Sequence, residues 1–383
     1  MIYLDNNATT PLAPEVREAM LPHLSGEFGN PSSPHATGMA AKRAVGEARA
    51  RVAALVGAKA ADILFTASAT EANHTALLGT LRAVAAERPE RRHLVTTAIE
   101  HPSTLMLAND LERQGWRVSV LPVDGTGTIA LADLRDAVTP DTALVSVMWA
   151  NNETGAIQPV AAAADIAQAR GALFHTDAVQ AAGRLPIKVD AVNADLLTLS
   201  AHKMHGPKGI GALYIRKGVP FAPLIHGHQE RHRRGGTENV PAIVGFGAAA
   251  DRAAAMVAEA GGLAILRDRL ERGVLAAWPG SRVNGEGATR LPNTSNIRFA
   301  DPQGRPLDAE ELLMRLDRAC IAVSMGAACA SGGNDPSHVL TAMGLSPAEA
   351  AASLRFSLSR YSTAEEVESV LNEFPALYAR IAA

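Results

Sequence analysis

The stretch Ala143-Leu-Val-Ser-Val-Met-Trp149 carries no charge and a single hydroxyl, and it limits what this chain can fold into. A strand with one wet face alternates apolar and polar residues. A run this continuous is covered on both faces, as a central strand of a parallel sheet is. Strands are also expected at 62–66, 93–97, 116–122, 172–176, 194–199 and 212–215. Segments of helical spacing lie between them: Ala72–Ala86 with a start near Ala69, one from about Ser103, Leu131–Val138 and Pro159–Arg170. Strand and helix thus alternate across residues 60–215. That pattern predicts an α/β fold with a mostly parallel sheet covered by helices, whose ligands bind where the strands end.

The polar residues gather at those ends. Lys203 sits in Ser200-Ala-His-Lys-Met-His-Gly-Pro-Lys-Gly-Ile-Gly211, between two apolar runs and beside hydroxyl and imidazole groups. A lysine so placed is a candidate amine for Schiff-base chemistry. Ser68 followed by Glu71 has the spacing of a capping box. The free N–H groups of Ala69 and Thr70 at that helix start would suit a phosphate. Asp177 and Gln180 follow one strand, Asn151, Asn152 and Glu153 follow another, and Glu100-His101 follows a third.

Outside this region, helices are expected at Pro14–Leu24, His35–Val56 and Asn239–Glu259. Gly261-Gly262 is expected to end the last of these, and a new helix to run over Leu263–Trp278. Beyond about residue 260 the pattern becomes that of a smaller α+β unit. The expected division is a large domain over 13–259 and a small one made of 1–12 and 260–383. With 36 basic and 39 acidic residues the net charge is −3. No basic block suggests a nucleic-acid or membrane partner, and the N-terminus does not read as a signal peptide, so a cytoplasmic protein is expected. Two cysteines make no disulfide framework. Cys320, before Ile321-Ala-Val, fits a small buried hydrophobe. Cys329 lies among small residues in Met325-Gly-Ala-Ala-Cys-Ala-Ser-Gly-Gly-Asn334, a setting that suits a reactive thiol. The His/Arg-rich stretch 226–234 lacks a clear metal-ligand spacing, so no metal is expected.

Taken together, Ser200-Ala-His-Lys203, Asp177-Ala-Val-Gln180, Ala69-Thr70-Glu71, Glu100-His101 and Asn151-Asn152-Glu153-Thr-Gly155 resemble one family. Tyr3-Leu-Asp-Asn-Asn-Ala-Thr-Thr10, Gly29-Asn-Pro-Ser-Ser33, Arg234-Gly-Gly-Thr-Glu-Asn239, Cys329 with Ser331-Gly332, and Arg355-Phe-Ser-Leu-Ser-Arg360 extend the match over nearly the whole chain. The family is that of the pyridoxal-phosphate cysteine desulfurases of the class V aminotransferase group, and the wording around Val145–Gly155 looks most like its nitrogenase branch. The resemblance implies a fold type I large domain with a seven-stranded sheet. It implies pyridoxal 5'-phosphate as cofactor and L-cysteine as substrate, which becomes L-alanine as sulfur passes through a persulfide on Cys329 to an iron–sulfur scaffold or other acceptor protein. Lys203, His101 and Cys329 would be catalytic. Ala69, Thr70, Ser200, His202 and Thr237 would hold the phosphate, Thr237 from the other subunit of a homodimer with shared sites. Asp177 would face the ring nitrogen, Gln180 and Asn152 the ring oxygen, and Arg355, with Asn152, the substrate.

Other readings remain. A selenocysteine lyase or a desulfurase serving tRNA or cofactor thiolation would share these residues. A cofactor-binding scaffold of a sulfur-assembly complex would not need them all. Ser68, His74 and the Ala327-Ala328-Cys329-Ala330 wording depart from the family's usual residues.

Overall fold

The computed structural model describes residues 1–326 and 336–381. Strand β1 (Ile2–Tyr3) and helices α1 (Pro14–Leu24) and α2 (Ala36–Leu55) open the chain. The α/β region follows as β2 (Ile63–Thr66), α3 (Ala69–Glu87), β3 (His93–Thr97), α4 (Pro102–Arg113), β4 (Arg117–Leu121), α5 (Leu131–Ala137) and β5 (Thr142–Ser146). It continues with α6 (Val160–Ala169), β6 (Leu173–Asp177), α7 (Val189–Val192), β7 (Leu196–Ser200) and β8 (Gly211–Ile215). A short turn α8 (Gln229–His232) and the long helix α9 (Val240–Ala277) lead away from it. The remainder is β9 (Arg282–Val283), β10 (Thr294–Arg298), α10 (Ala309–Arg318), β11 (Ile321–Ala322), α11 (His338–Ala342), α12 (Pro347–Ala351), β12 (Ser353–Ser357) and α13 (Ala364–Ile381).

The large sheet has the order β2-β8-β7-β6-β5-β3-β4, and only β8 runs against the rest. Successive residues of its strands enter opposite cores, as a pleat of period 2 requires. Leu64, Leu94, Leu144 and Leu196 pack with α3 and α4, while Phe65, Val95, Val145 and Leu197 pack with α2, α6 and the start of α9. Burial on both faces is why apolar residues sit side by side in these strands. A third core joins Leu4, Trp278, Phe299, Phe356 and Phe374 over β10, β12, α10 and α13.

Two expectations are corrected here. Gly261 and Gly262 do not break a helix: α9 is a single 38-residue element through both. A glycine weakens a helix without ending it, and here packing against α1, α2 and α13 holds the element together. By length and hydropathy α9 could cross a bilayer, yet 56% of its most apolar window is buried inside the protein. Cys320 is exposed rather than buried. It follows α10 with φ +59°, a left-handed position that turns the chain into β11 and points this side chain outward.

The glycines of α9 serve different ends. A Cβ on Gly247 would lie 2.7 Å from Ala48 Cα, so α2 and α9 approach through their backbones, whereas a Cβ on Gly261 meets nothing within 4 Å. Gly247→Ala should therefore destabilise by about 1–3 kcal/mol, and Gly261→Ala should stabilise by up to about 1 kcal/mol. Urea midpoints of the two variants moving in the same direction would contradict this packing.

Candidate active site

The strand order brings the carboxyl ends of β2, β3, β5, β6 and β7 to one side of the sheet, and the residues that follow them surround one cavity of about 210 Å³. It is lined by Ala69, Thr70, His101, Asn152, Asp177, Gln180, His202, Lys203 and Arg355, all expected from the sequence, and by Asn7, Asn73 and Ser103, which were not. Two expected residues lie elsewhere. Ser200 is buried as the last residue of β7 and does not line the cavity. Thr237 lines a second cavity with Phe65, Glu230 and Arg234. Cys329 lies outside the described residues.

The α3 end of the cavity is built for an anion. Ser68 caps the helix, its Oγ accepting from Glu71 N–H at 3.1 Å, and its carbonyl accepts from Ala72 N–H. Among the described residues this leaves the N–H groups of Ala69 and Thr70 without a hydrogen-bond partner. The capping box is incomplete: Glu71 Oε2 accepts from Ala67 N–H instead of from Ser68, and the carboxylate is also paired with Arg234. A Cβ on Gly211 would sit 2.5 Å from the Ser68 carbonyl carbon, so only glycine lets β8 lie this close beneath the helix start. His202 stands nearby on the turn after β7. Burial, with the charges of Lys203 and Lys208, holds its imidazole down to about 4, and its Nδ1 bonds to Thr9 Oγ1.

Lys203 Nζ donates to the carbonyls of Asn7 and Ala8. Asp177 is buried with both oxygens engaged: Oδ1 accepts from Val179 N–H at 3.0 Å and Oδ2 from Asn73 Nδ2 at 2.7 Å. Gln180 Nε2 donates to the Asn7 carbonyl, and its Oε1 accepts from Arg184. Arg355 is 1% exposed. Its Nη2 pairs with Asp5 at 2.7 Å and its Nη1 donates to the Asn152 carbonyl at 3.1 Å. Its Nε has no partner among the described residues, so the guanidinium keeps a buried donor in reserve.

His101 caps α4, with Nδ1 accepting from Ser103 N–H at 3.1 Å. Burial lowers its pKa; Asp177 works against this, while Lys203 and His338 add to it. The imidazole is therefore neutral near pH 7. Beneath it, Glu100 accepts from Thr97 Oγ1 and Met148 N–H, and its backbone carbonyl accepts from His338 Nε2. Glu153 is fully buried, its carboxyl pushed up chiefly by burial, and it accepts from Ser337 Oγ. Ser337 and His338, where the described chain resumes, are thus tied to the site floor. Among the described residues no cluster of three His, Cys, Asp or Glu could hold a metal.

Known proteins resemble this chain over nearly its whole length. The family model for class V aminotransferases matches residues 2–370. A cysteine desulfurase of Cereibacter sphaeroides is 52% identical over 379 residues, covering 98% of this chain and 95% of its own. The cysteine desulfurase NifS of Azotobacter vinelandii is 46% identical, covering 99% and 93%. A solved NifS-like protein superposes with a TM-score of 0.90 at 37% identity, over 99% of both chains.

Burial pushes Glu100 up to about 8 from its ordinary 4.5. The folded protein therefore keeps a proton that the unfolded chain loses above about 4.5, and stability falls as pH rises towards 8. Glu100→Gln removes that dependence. Its unfolding free energy, from urea titrations, should gain on the parent's between pH 5 and 8 by about a few kcal/mol in all; parallel pH profiles would show that Glu100 ionises normally.

Proposed function

This chain belongs to the class V aminotransferase family, among its cysteine desulfurases, and we propose that it takes sulfur from L-cysteine by way of Cys329, with pyridoxal 5'-phosphate held in the cavity around Lys203. The carrying observation is that one cavity joins a lysine amine, a buried carboxylate, a neutral histidine and a helix start with two open N–H donors. These residues fit that cofactor. Ala69 and Thr70, with His202, would hold its phosphate over the gap that Gly211 leaves. Asp177 would face the ring nitrogen and keep it protonated. Gln180 and Asn152 would take the ring oxygen. Bound there, the cofactor supplies an aldehyde for the substrate amine and a ring that accepts the electron pair freed at Cα.

The chain's own groups do the rest. Arg355 lines the cavity, held by Asp5 and Asn152, and would meet the substrate carboxylate there. Lys203 Nζ would hold the cofactor aldehyde and would be the base placed to take the Cα proton. His101, neutral and facing the cavity, moves a second proton. The Cys329 thiolate attacks the substrate sulfur; the C–S bond breaks, its electron pair stays with carbon, a proton is added and alanine leaves. The persulfide on Cys329 then gives its sulfur to an acceptor protein, and the kinship with NifS favours iron–sulfur cluster assembly as its use.

Thr237 lies in a cavity apart from its own Lys203, which supports a two-fold dimer in which it serves the neighbouring copy, acting in the cytoplasm. Residues 13–259 would bind the cofactor, with 1–12 and 260–383 as the unit carrying Cys329.

Purified protein given L-cysteine should yield alanine and sulfide in equal amounts, the sulfide appearing only with a thiol reductant. Lys203→Ala should lower alanine formation by at least about 100-fold, and Cys329→Ser should end sulfur transfer to an acceptor protein. Alanine formed at the parent rate by Lys203→Ala would refute the assignment.

A further inference from the structure

Asn73 and Ser103 line the cavity and connect its two titratable walls. Asn73 Nδ2 lies 2.7 Å from Asp177 Oδ2 and 3.3 Å from Ser103 Oγ. Ser103 Oγ in turn lies 2.8 Å from His101 Nδ1. The directions of these bonds follow from donor chemistry. Asp177 Oδ2 faces Asn73 as an acceptor, so the amide nitrogen, and not its oxygen, must face the carboxylate. The second hydrogen on that nitrogen goes to Ser103 Oγ, which therefore accepts. The hydroxyl's own hydrogen is left to point at His101 Nδ1. Ser103 N–H points at the same ring nitrogen from 3.1 Å. With two donors aimed at it, Nδ1 must carry a lone pair.

We infer that Asn73 and Ser103 are positioning residues that set the tautomer of His101, fixing its proton on Nε2 and leaving that nitrogen to face the reacting atoms. The ring lines the cavity, and Nε2 has no protein partner among the described residues. The arrangement has a cost that marks it as more than packing. Asn73 Oδ1 is buried with no partner among the described residues, yet turning the amide to satisfy it would set oxygen against the Asp177 carboxylate. The charged or titratable groups that face His101 are Asp177 after β6, Lys203 after β7 and His338 on α11; His74, on α3, bonds to the Ser103 carbonyl. Donors aimed at Nδ1 favour the neutral ring, because the imidazolium would place a hydrogen there. The same residues would keep a neutral ring presenting an Nε2–H hydrogen-bond donor to the cavity through neutral pH. The inference rests on the reading that His101 moves a proton in the desulfurase reaction.

The test is a long-range 1H–15N spectrum of full-length protein labelled at histidine, with and without cofactor. His101 is assigned by its loss in His101→Gln. The expected result is an Nε2–H tautomer whose Nδ1 shift is that of a hydrogen-bonded acceptor. Ser103→Ala should raise the His101 pKa by about half to one pH unit and carry the acid limb of kcat/KM upward with it, at little change in KM. Ser103→Thr, which restores a hydroxyl, should return both. An Nδ1–H tautomer in the parent protein, or a spectrum and acid limb unmoved in Ser103→Ala, would overturn the inference. If instead His101→Gln keeps the parent's kcat, the proton-transfer reading fails, while the tautomer is still decided by the spectrum.

Discussion

The carbonyl of Asn7 accepts from both Lys203 and Gln180, and the rest of this residue is committed as fully. Its N–H donates to Ser357 Oγ, its Nδ2 to the Asn152 carbonyl and Thr294 Oγ1, and its Oδ1 accepts from Asn293. At 1% exposure none of these groups can turn to water. Each one left unmade would cost about 1–3 kcal/mol, so the N-terminal segment has a single way to lie across the molecule. Asp5 reaches Arg355, Asn6 the Ser357 carbonyl, and Thr10 the His202 carbonyl. One short stretch thus satisfies polar groups from the large sheet and from β10 and β12. The site exists because both sides must be closed over the same residues.

That closure also sets the chemistry. Dry surroundings keep His101 neutral and hold Glu100 protonated near pH 7. The buried ion pair of Arg355 with Asp5 is of a kind that packing alone would not favour. Its value is geometric: it holds the guanidinium at the cavity wall. Further out, Arg49 and Glu230 make a bidentate buried pair at 2.6 Å beneath a turn in which Glu230, Arg231 and His232 all have positive φ. The pair holds in place a backbone that would otherwise relax, and with it the segment leading to Thr237.

Much of this was legible in the sequence, for physical reasons. Strands buried on both faces are rich in apolar residues, so the sheet could be read directly. Polar residues at strand ends are conspicuous against such runs, and Lys203, Asp177, His101 and the Ala69-Thr70 turn stood out for that reason. What was missed depends on contacts distant in sequence. Nothing local to Asn7 shows that six partners await it. Asn73 and Ser103 looked like ordinary helix residues, because their task is to reach sideways to Asp177 and His101. Gly261-Gly262 suggested a break because glycine's local weakness was legible and the packing that overrides it was not. Cys320 was taken for a core residue because its side chain type is usually buried; the left-handed turn after α10 decided otherwise.

The central claim is that Lys203 is the residue to which the working cofactor is attached. Borohydride reduction of the protein as purified with its cofactor, followed by proteolysis and mass spectrometry, tests it directly. The account predicts a pyridoxyl group on Lys203 and on no other lysine, lost when L-cysteine is added before reduction. A pyridoxyl group on another lysine, or none in a preparation that still turns cysteine into alanine, would contradict it.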